Sequence, residues 1–100
     1  MGPGKAELVE RIAQTGSISA AARAMGMSYR RAWQLVESLN RAYRQPVVRT
    51  AVGGQRGGGA QVTPYGRLLV SRFRAMEVKA SGAIAAELRR FELELRRARR

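Results

Sequence analysis

The stretch from Ser17 to Leu39 constrains the fold more than any other part of the chain. Ile18 to Met25 is helical in pattern and made mostly of alanine, whose short side chains let a second helix approach closely. Ser17 or Ser19 can cap it, because a serine oxygen accepts from the free N–H groups of a first turn. Gly26 ends it, since a left-handed backbone at that point costs glycine little. Ser28 offers a second N-cap, and Tyr29 to about Tyr43 reads as another helix. Its inner face is Ala32, Leu35, Val36, Leu39 and Tyr43, and its outer face holds Arg30, Arg31, Gln34 and Arg41. Met25 and Met27 flank the turn as apolar anchors, and Pro46 marks the exit. Two helices joined so tightly must cross, and the second must show a basic face.

The rest of the chain completes an architecture around that pair. Lys5 to Gln14 has helical spacing, with Leu8, Val9 and Ile12 inward and Glu7, Glu10 and Arg11 outward. Val47-Val48-Arg49-Thr50 and Ala60-Gln61-Val62-Thr63 are β-prone runs, and between them Gly53, Gly54, Gly57, Gly58 and Gly59 surround Gln55-Arg56. Thr63-Pro64 is a helix-start signal. The helix it opens can run nearly to the C-terminus, with a seam of Leu69, Phe73, Met76, Ala80, Ile84, Leu88, Phe91 and Leu95 and a kink or change of partner near Gly82. The order predicts a mainly α fold with a small β-hairpin: a winged helix-turn-helix plus a long C-terminal dimerisation helix. Residues 1–66 would form the DNA-binding domain, and residues 67–100 the long helix with its basic tail. A monomer would expose too much of the seam, so the pattern predicts a homodimer, the alternative being a shorter helix folded back on its own domain.

Charge narrows the function. Lys and Arg number 19 against 7 acids, a formal charge of +12, which points to a polyanionic partner, nucleic acid before acidic membrane. Arg outnumbers Lys 17 to 2. A G+C-rich genome would explain that choice of cation, but not the shortage of acids. Without Cys, His or Asp, the sequence excludes thiol chemistry, disulfides, zinc sites and imidazole catalysis. No nucleophile–base pair is visible, so no enzyme, metal or cofactor is expected. No run approaches 18 apolar residues, and Met1-Gly2-Pro3-Gly4 does not read as a signal peptide, so a soluble cytoplasmic protein is expected, with no membrane partner.

The candidate interface follows from how a helix-turn-helix works: the second helix enters the major groove with its first residues at the base edges. Arg30 and Arg31 can contact phosphate or guanine, Gln34 can pair with adenine, and Ser17 and Ser28 sit at helix N-termini suited to phosphate. Tyr29 stands at the start of the same helix, whereas Trp33, Tyr65 and Gly66 read as packing residues. The glycine stretch, residues 51–60, reads as a wing carrying Gln55 and Arg56 to the adjacent backbone or minor groove, with Arg49 at its base. A plain hairpin turn is the simpler reading. A nucleotide loop is disfavoured because the stretch lacks the Walker Lys-Ser/Thr pair.

These strings resemble the DNA-binding domain of the ModE-type molybdate-responsive transcriptional regulators, relatives of the LysR-type winged domain. The match lies in Thr15-Gly16-Ser17-Ile18-Ser19, Ala22, Gly26, Ser28-Tyr29, Ala32-Trp33, Asn40, Gly53-Gly54, Gly57-Gly58-Gly59-Ala60, Thr63 and Tyr65-Gly66, and spans about residues 5 to 80. The resemblance implies a dimer that sets Tyr29, Arg30, Arg31 and Gln34 at the major groove. It also implies dimerisation through the N-terminal helix, which brings in Leu8 and Ile12, together with Leu69, Phe73, Met76, Ala80, Ile84, Leu88 and Phe91 of the long one. The family's wing often begins with an acid where this chain has Arg49. Full-length members continue into an oxyanion-binding region, and these 100 residues hold none, whether as a short form or as a piece of a longer chain. Molybdate or another oxyanion is therefore not expected as a ligand.

The reading is a homodimeric regulator binding a specific site on double-stranded DNA, with residues 28–43 as recognition helix. The alternatives are a sequence-indifferent architectural protein and a protein-interaction module built on the long helix.

Overall fold

Residues 1–51 and 59–96 are described by the computed structural model. α1 (Pro3–Thr15) starts with a proline at its first position, where the missing N–H would lack a helical partner in any residue. It therefore begins two residues earlier than its apolar spacing predicts. α2 (Ile18–Ala24) is capped by Ser17, not Ser19: Ser17 Oγ accepts the Ala20 N–H at 3.0 Å. Gly26, at φ 68°, then reverses the chain. The Met27 N–H reaches back to the Ala22 carbonyl (3.0 Å) and the Gly26 N–H to that of Arg23 (3.2 Å), so the last carbonyls of α2 are satisfied within the turn. α3 (Tyr29–Ala42) opens on Ser28, whose Oγ accepts the Arg31 N–H at 3.1 Å.

Two three-residue strands follow, β1 (Val48–Thr50) and β2 (Ala60–Val62), antiparallel with Val48 opposite Val62 and Thr50 opposite Ala60. Each is one residue shorter than its β-prone run: Val47 and Thr63 stay joined by the Thr63 N–H to the Val47 carbonyl at 3.0 Å, while the Val47 N–H goes to Asn40 and the Thr63 side chain caps the next helix. That helix, α4 (Pro64–Glu92), is 29 residues, roughly 43 Å long, and passes through Gly82 as one element.

A single core lies where these elements meet. Leu8, Val9 and Ile12 of α1, Ile18, Ala21 and Ala22 of α2, and Ala32, Val36 and Leu39 of α3 are buried together. Val47, Val48, Ala60 and Val62 from the hairpin and Val70 of α4 close it. A division at residue 66 falls inside α4, whose Leu69, Val70 and Phe73 still pack on this body. From Met76 onward the helix leaves it, and the described residues stretch to 57 × 35 × 20 Å.

Candidate nucleic-acid interface

The first turns of α3 gather the outward-facing candidates. Ala32, Val36 and Leu39 sink into the core, and Ser28, Tyr29, Arg30, Arg31 and Gln34 are exposed, Arg30 and Gln34 opposite the buried face and Tyr29 and Arg31 on its flanks. Among the described residues neither Arg30 nor Arg31 pairs with a carboxylate. Glu37, the acid on this helix, is held by Arg41 at 3.1 Å, one turn further on. Trp33 is half-buried against the core, as a packing residue should be, yet its indole N–H donates to Tyr29 Oη at 2.6 Å. Ser17 stands half-exposed at the start of α2, and Arg49 is exposed on β1 beside Gln61 of β2. Gln55, Arg56 and most of the glycine stretch lie outside the described residues.

Residues absent from the candidate set tie the wing to this helix. Asn40 Oδ1 accepts the N–H groups of Val47 (2.8 Å) and Val48 (3.1 Å), and its Nδ2 donates to the Val48 carbonyl (3.0 Å). The signal was present: Asn40 lies four residues after Val36 and three before Tyr43, a polar side chain on an apolar face. From the other side Thr63 Oγ1 donates to the Pro46 carbonyl at 2.7 Å and accepts the Gly66 N–H at 2.9 Å. The Gly16 carbonyl, in the α1–α2 turn, accepts the Ala60 N–H at 2.9 Å. The base of the hairpin is thus pinned to α3, α4 and the α1–α2 turn together.

Arg74 links α4 to α1, reaching Glu10 at 2.6 Å and Glu77 at 2.7 Å. The hydrogen bond from Arg74, helped by its charge, holds the Glu10 carboxyl below its ordinary pKa, although partial burial works against the shift. The same two carboxylates raise Arg74.

The seam on α4 divides in two. Leu69 and Phe73 are half-buried against the chain's own body, whereas Met76 (60% exposed), Ala80, Ile84 (52%), Leu88 (47%) and Phe91 (70%) are exposed. Val78, Leu93 and Leu95 add further exposed apolar surface. The expectation for Leu8 and Ile12 needs correction. Both are 0% exposed, filling this chain's own core, so their side chains offer no surface to a partner. Among the described residues no helix is long and apolar enough to cross a membrane.

The fold and this exposed face define a winged helix-turn-helix protein. Residues 4–67 match the bacterial regulatory helix-turn-helix proteins of the lysR family, and the chain belongs to that family. It is 43% identical over 95 residues to the molybdenum-pterin-binding protein MopB of Rhodobacter capsulatus, covering 95% of this chain and 34% of that protein. It is 38% identical over 71 residues to the DNA-binding transcriptional dual regulator ModE of Escherichia coli K12, covering 71% of this chain and 27% of that protein. The chain spans about a quarter to a third of the length of the curated relatives it matches. Among solved structures, the CbnR DNA-binding domain in complex with DNA shares the fold at a TM-score of 0.66 and 16% identity, over 92% of this chain and 99% of that one. Full-length LysG of Corynebacterium glutamicum shares it at 0.63 and 24% identity, over 91% of this chain and 30% of that one.

Proposed function

We propose that this chain is a sequence-specific, homodimeric DNA-binding regulator of transcription. The observation that carries the reading is the exposed start of α3, where Ser28, Tyr29, Arg30, Arg31 and Gln34 face outward above a buried inner face. Arg30, Arg31 and Gln34 read base edges in the major groove; Ser17 and Ser28 take phosphates, and the wing, with Arg49, Gln55 and Arg56, lies on the adjacent backbone or minor groove. Two copies join along α4 through Met76, Ala80, Ile84, Leu88 and Phe91, beside the body-bound Leu69 and Phe73. The reading includes a cytoplasmic location, which membership in a family of bacterial regulators supports. The similarity to regulators named ModE supports the assignment to transcription. The molybdenum in those relatives' names is not carried over, because the matched region is about a quarter to a third of their length.

Selection from random-sequence DNA at physiological salt, with mass in solution measured by light scattering, tests this reading. An enriched, two-fold symmetric motif with half-sites about one helical turn apart, bound by a dimer, is the expected result. Tight binding without a motif would replace it with the architectural reading, and no binding would remove DNA as the partner.

A further inference from the structure

Tyr29 is the first residue of α3, and its hydroxyl oxygen is engaged from within the chain by the indole of Trp33, one turn on, at 2.6 Å. An indole N–H can only donate, so the direction of this bond is fixed and the tyrosine oxygen is its acceptor. A phenol that accepts from a neighbour still has its own O–H to give. The two rings are not equally held. Trp33 packs against the core, while the Tyr29 residue is 52% exposed, so the core holds the indole and the indole holds the phenol. Ser28 is in the same condition: its Oγ accepts the Arg31 backbone N–H, which leaves its hydroxyl hydrogen to offer. Arg30 and Arg31 carry donors alone. Each of residues 28–31 therefore has a hydrogen to donate, and Gln34 is the first exposed side chain after them with an amide oxygen.

We infer that Trp33 is a positioning residue, fixing Tyr29 as a hydrogen-bond donor to an acceptor on DNA. The acceptor is a phosphate oxygen or an acceptor atom of a base edge, which in the major groove means guanine O6 or N7, adenine N7, or thymine O4. The inference rests on the reading that this face of α3 meets DNA. Its consequence is that an indole that never touches the nucleic acid governs which of its atoms Tyr29 contacts.

Two variants separate the roles. Tyr29→Phe removes the hydroxyl and keeps the ring; Trp33→Phe keeps an aromatic ring in the half-buried place and removes the N–H. In the free protein the indole N–H resonance lies downfield and exchanges slowly, and Tyr29→Phe moves it upfield and speeds its exchange. On the selected DNA site, Tyr29→Phe weakens DNA binding by the dimer about 4- to 100-fold where the acceptor is a base, the square of the roughly 2- to 10-fold that one neutral hydrogen bond is worth, and more where it is a charged phosphate oxygen. Trp33→Phe, with its melting temperature checked, weakens binding several-fold, and the double variant binds no worse than Tyr29→Phe alone. A panel of sites varied at each position identifies the acceptor. A base edge shows as lost preference at one position in each half-site, and a phosphate as equal weakening at every site.

Additive losses in the double variant, or an indole signal indifferent to Tyr29→Phe, would overturn the inference. So would Tyr29→Phe binding with unchanged affinity, a result that stands even if Trp33→Phe fails to fold. Arg31→Ala is the control for the underlying reading. If Arg31→Ala loses affinity while Tyr29→Phe does not, α3 still meets DNA and only this inference falls. If neither loses any, the interface itself lies elsewhere.

Discussion

Replacing Asn40 by alanine should unfasten the base of the hairpin from α3. The substitution deletes three hydrogen bonds of 2.8–3.1 Å and strands the N–H groups of Val47 and Val48, residues that are 0% and 2% exposed. A buried N–H left unpartnered costs about 1–3 kcal/mol. Asn40 is half-buried, so water enters part of the gap and the lower end of that range applies to each group. The total is about 2–4 kcal/mol, a large share of the roughly 5–15 kcal/mol that holds a domain folded. For a chain of this size that lowers the melting temperature by about 8–30 °C, read by circular dichroism. Asn40→Asp sharpens the test: its carboxylate can still accept both N–H groups but sets an oxygen against the Val48 carbonyl where the amide had donated, so it should melt between Asn40→Ala and the wild type. An Asn40→Ala protein that melts within about 2 °C of the wild type would refute the reasoning, because the hairpin base would then be held by other contacts.

Three further outcomes follow from other parts of the molecule. Gly66→Ala should destabilise by about 1–3 kcal/mol or more in a denaturant titration, since a Cβ there would run into the Val47 carbonyl oxygen and press on Val47 and Val62 Cγ1 at 3.0 Å. Ile84→Glu with Leu88→Glu should leave the winged body folded and convert the proposed dimer to monomer in light scattering; an unchanged dimer mass would place the contact elsewhere. Glu10 has a lowered pKa when folded, so its bond to Arg74 contributes stability above the ordinary glutamate value of 4.5 and loses it as pH falls through the folded value. Glu10→Gln should therefore lower the melting temperature by a few degrees at pH 7, a small effect for a pair this exposed, and the gap should close in that acid window.

Much of this fold is legible in the sequence because its signals are local. A cap contacts a residue three positions on and a turn glycine acts on its own backbone, so Ser17, Ser28, Gly26 and Thr63 mark their boundaries without knowledge of the tertiary structure. The exposed basic face of α3 is legible for the same reason, since helical periodicity assigns it. Contacts between distant residues are not. Nothing in the sequence announces that Arg74 bonds to Glu10, 64 positions away, or that Thr63 Oγ1 donates to the Pro46 carbonyl, 17 positions back. Leu8 and Ile12 show the limit of periodicity: it marks an apolar face but does not say whether that face is covered by the same chain or by another. Here α2, the hairpin and α4 cover it, while the outer half of α4 has no such cover.

The most direct test of the central claim is to place a short-range photo-crosslinker at Gln34, on the exposed face of α3, and map its attachment on the selected DNA site. The account expects crosslinks to bases in the major groove, one cluster in each half-site, and none when the same group is placed at exposed Glu87 of α4. Crosslinks from position 87 and none from position 34 would contradict it, since the DNA would then lie along the long helix and α3 would not be its reader.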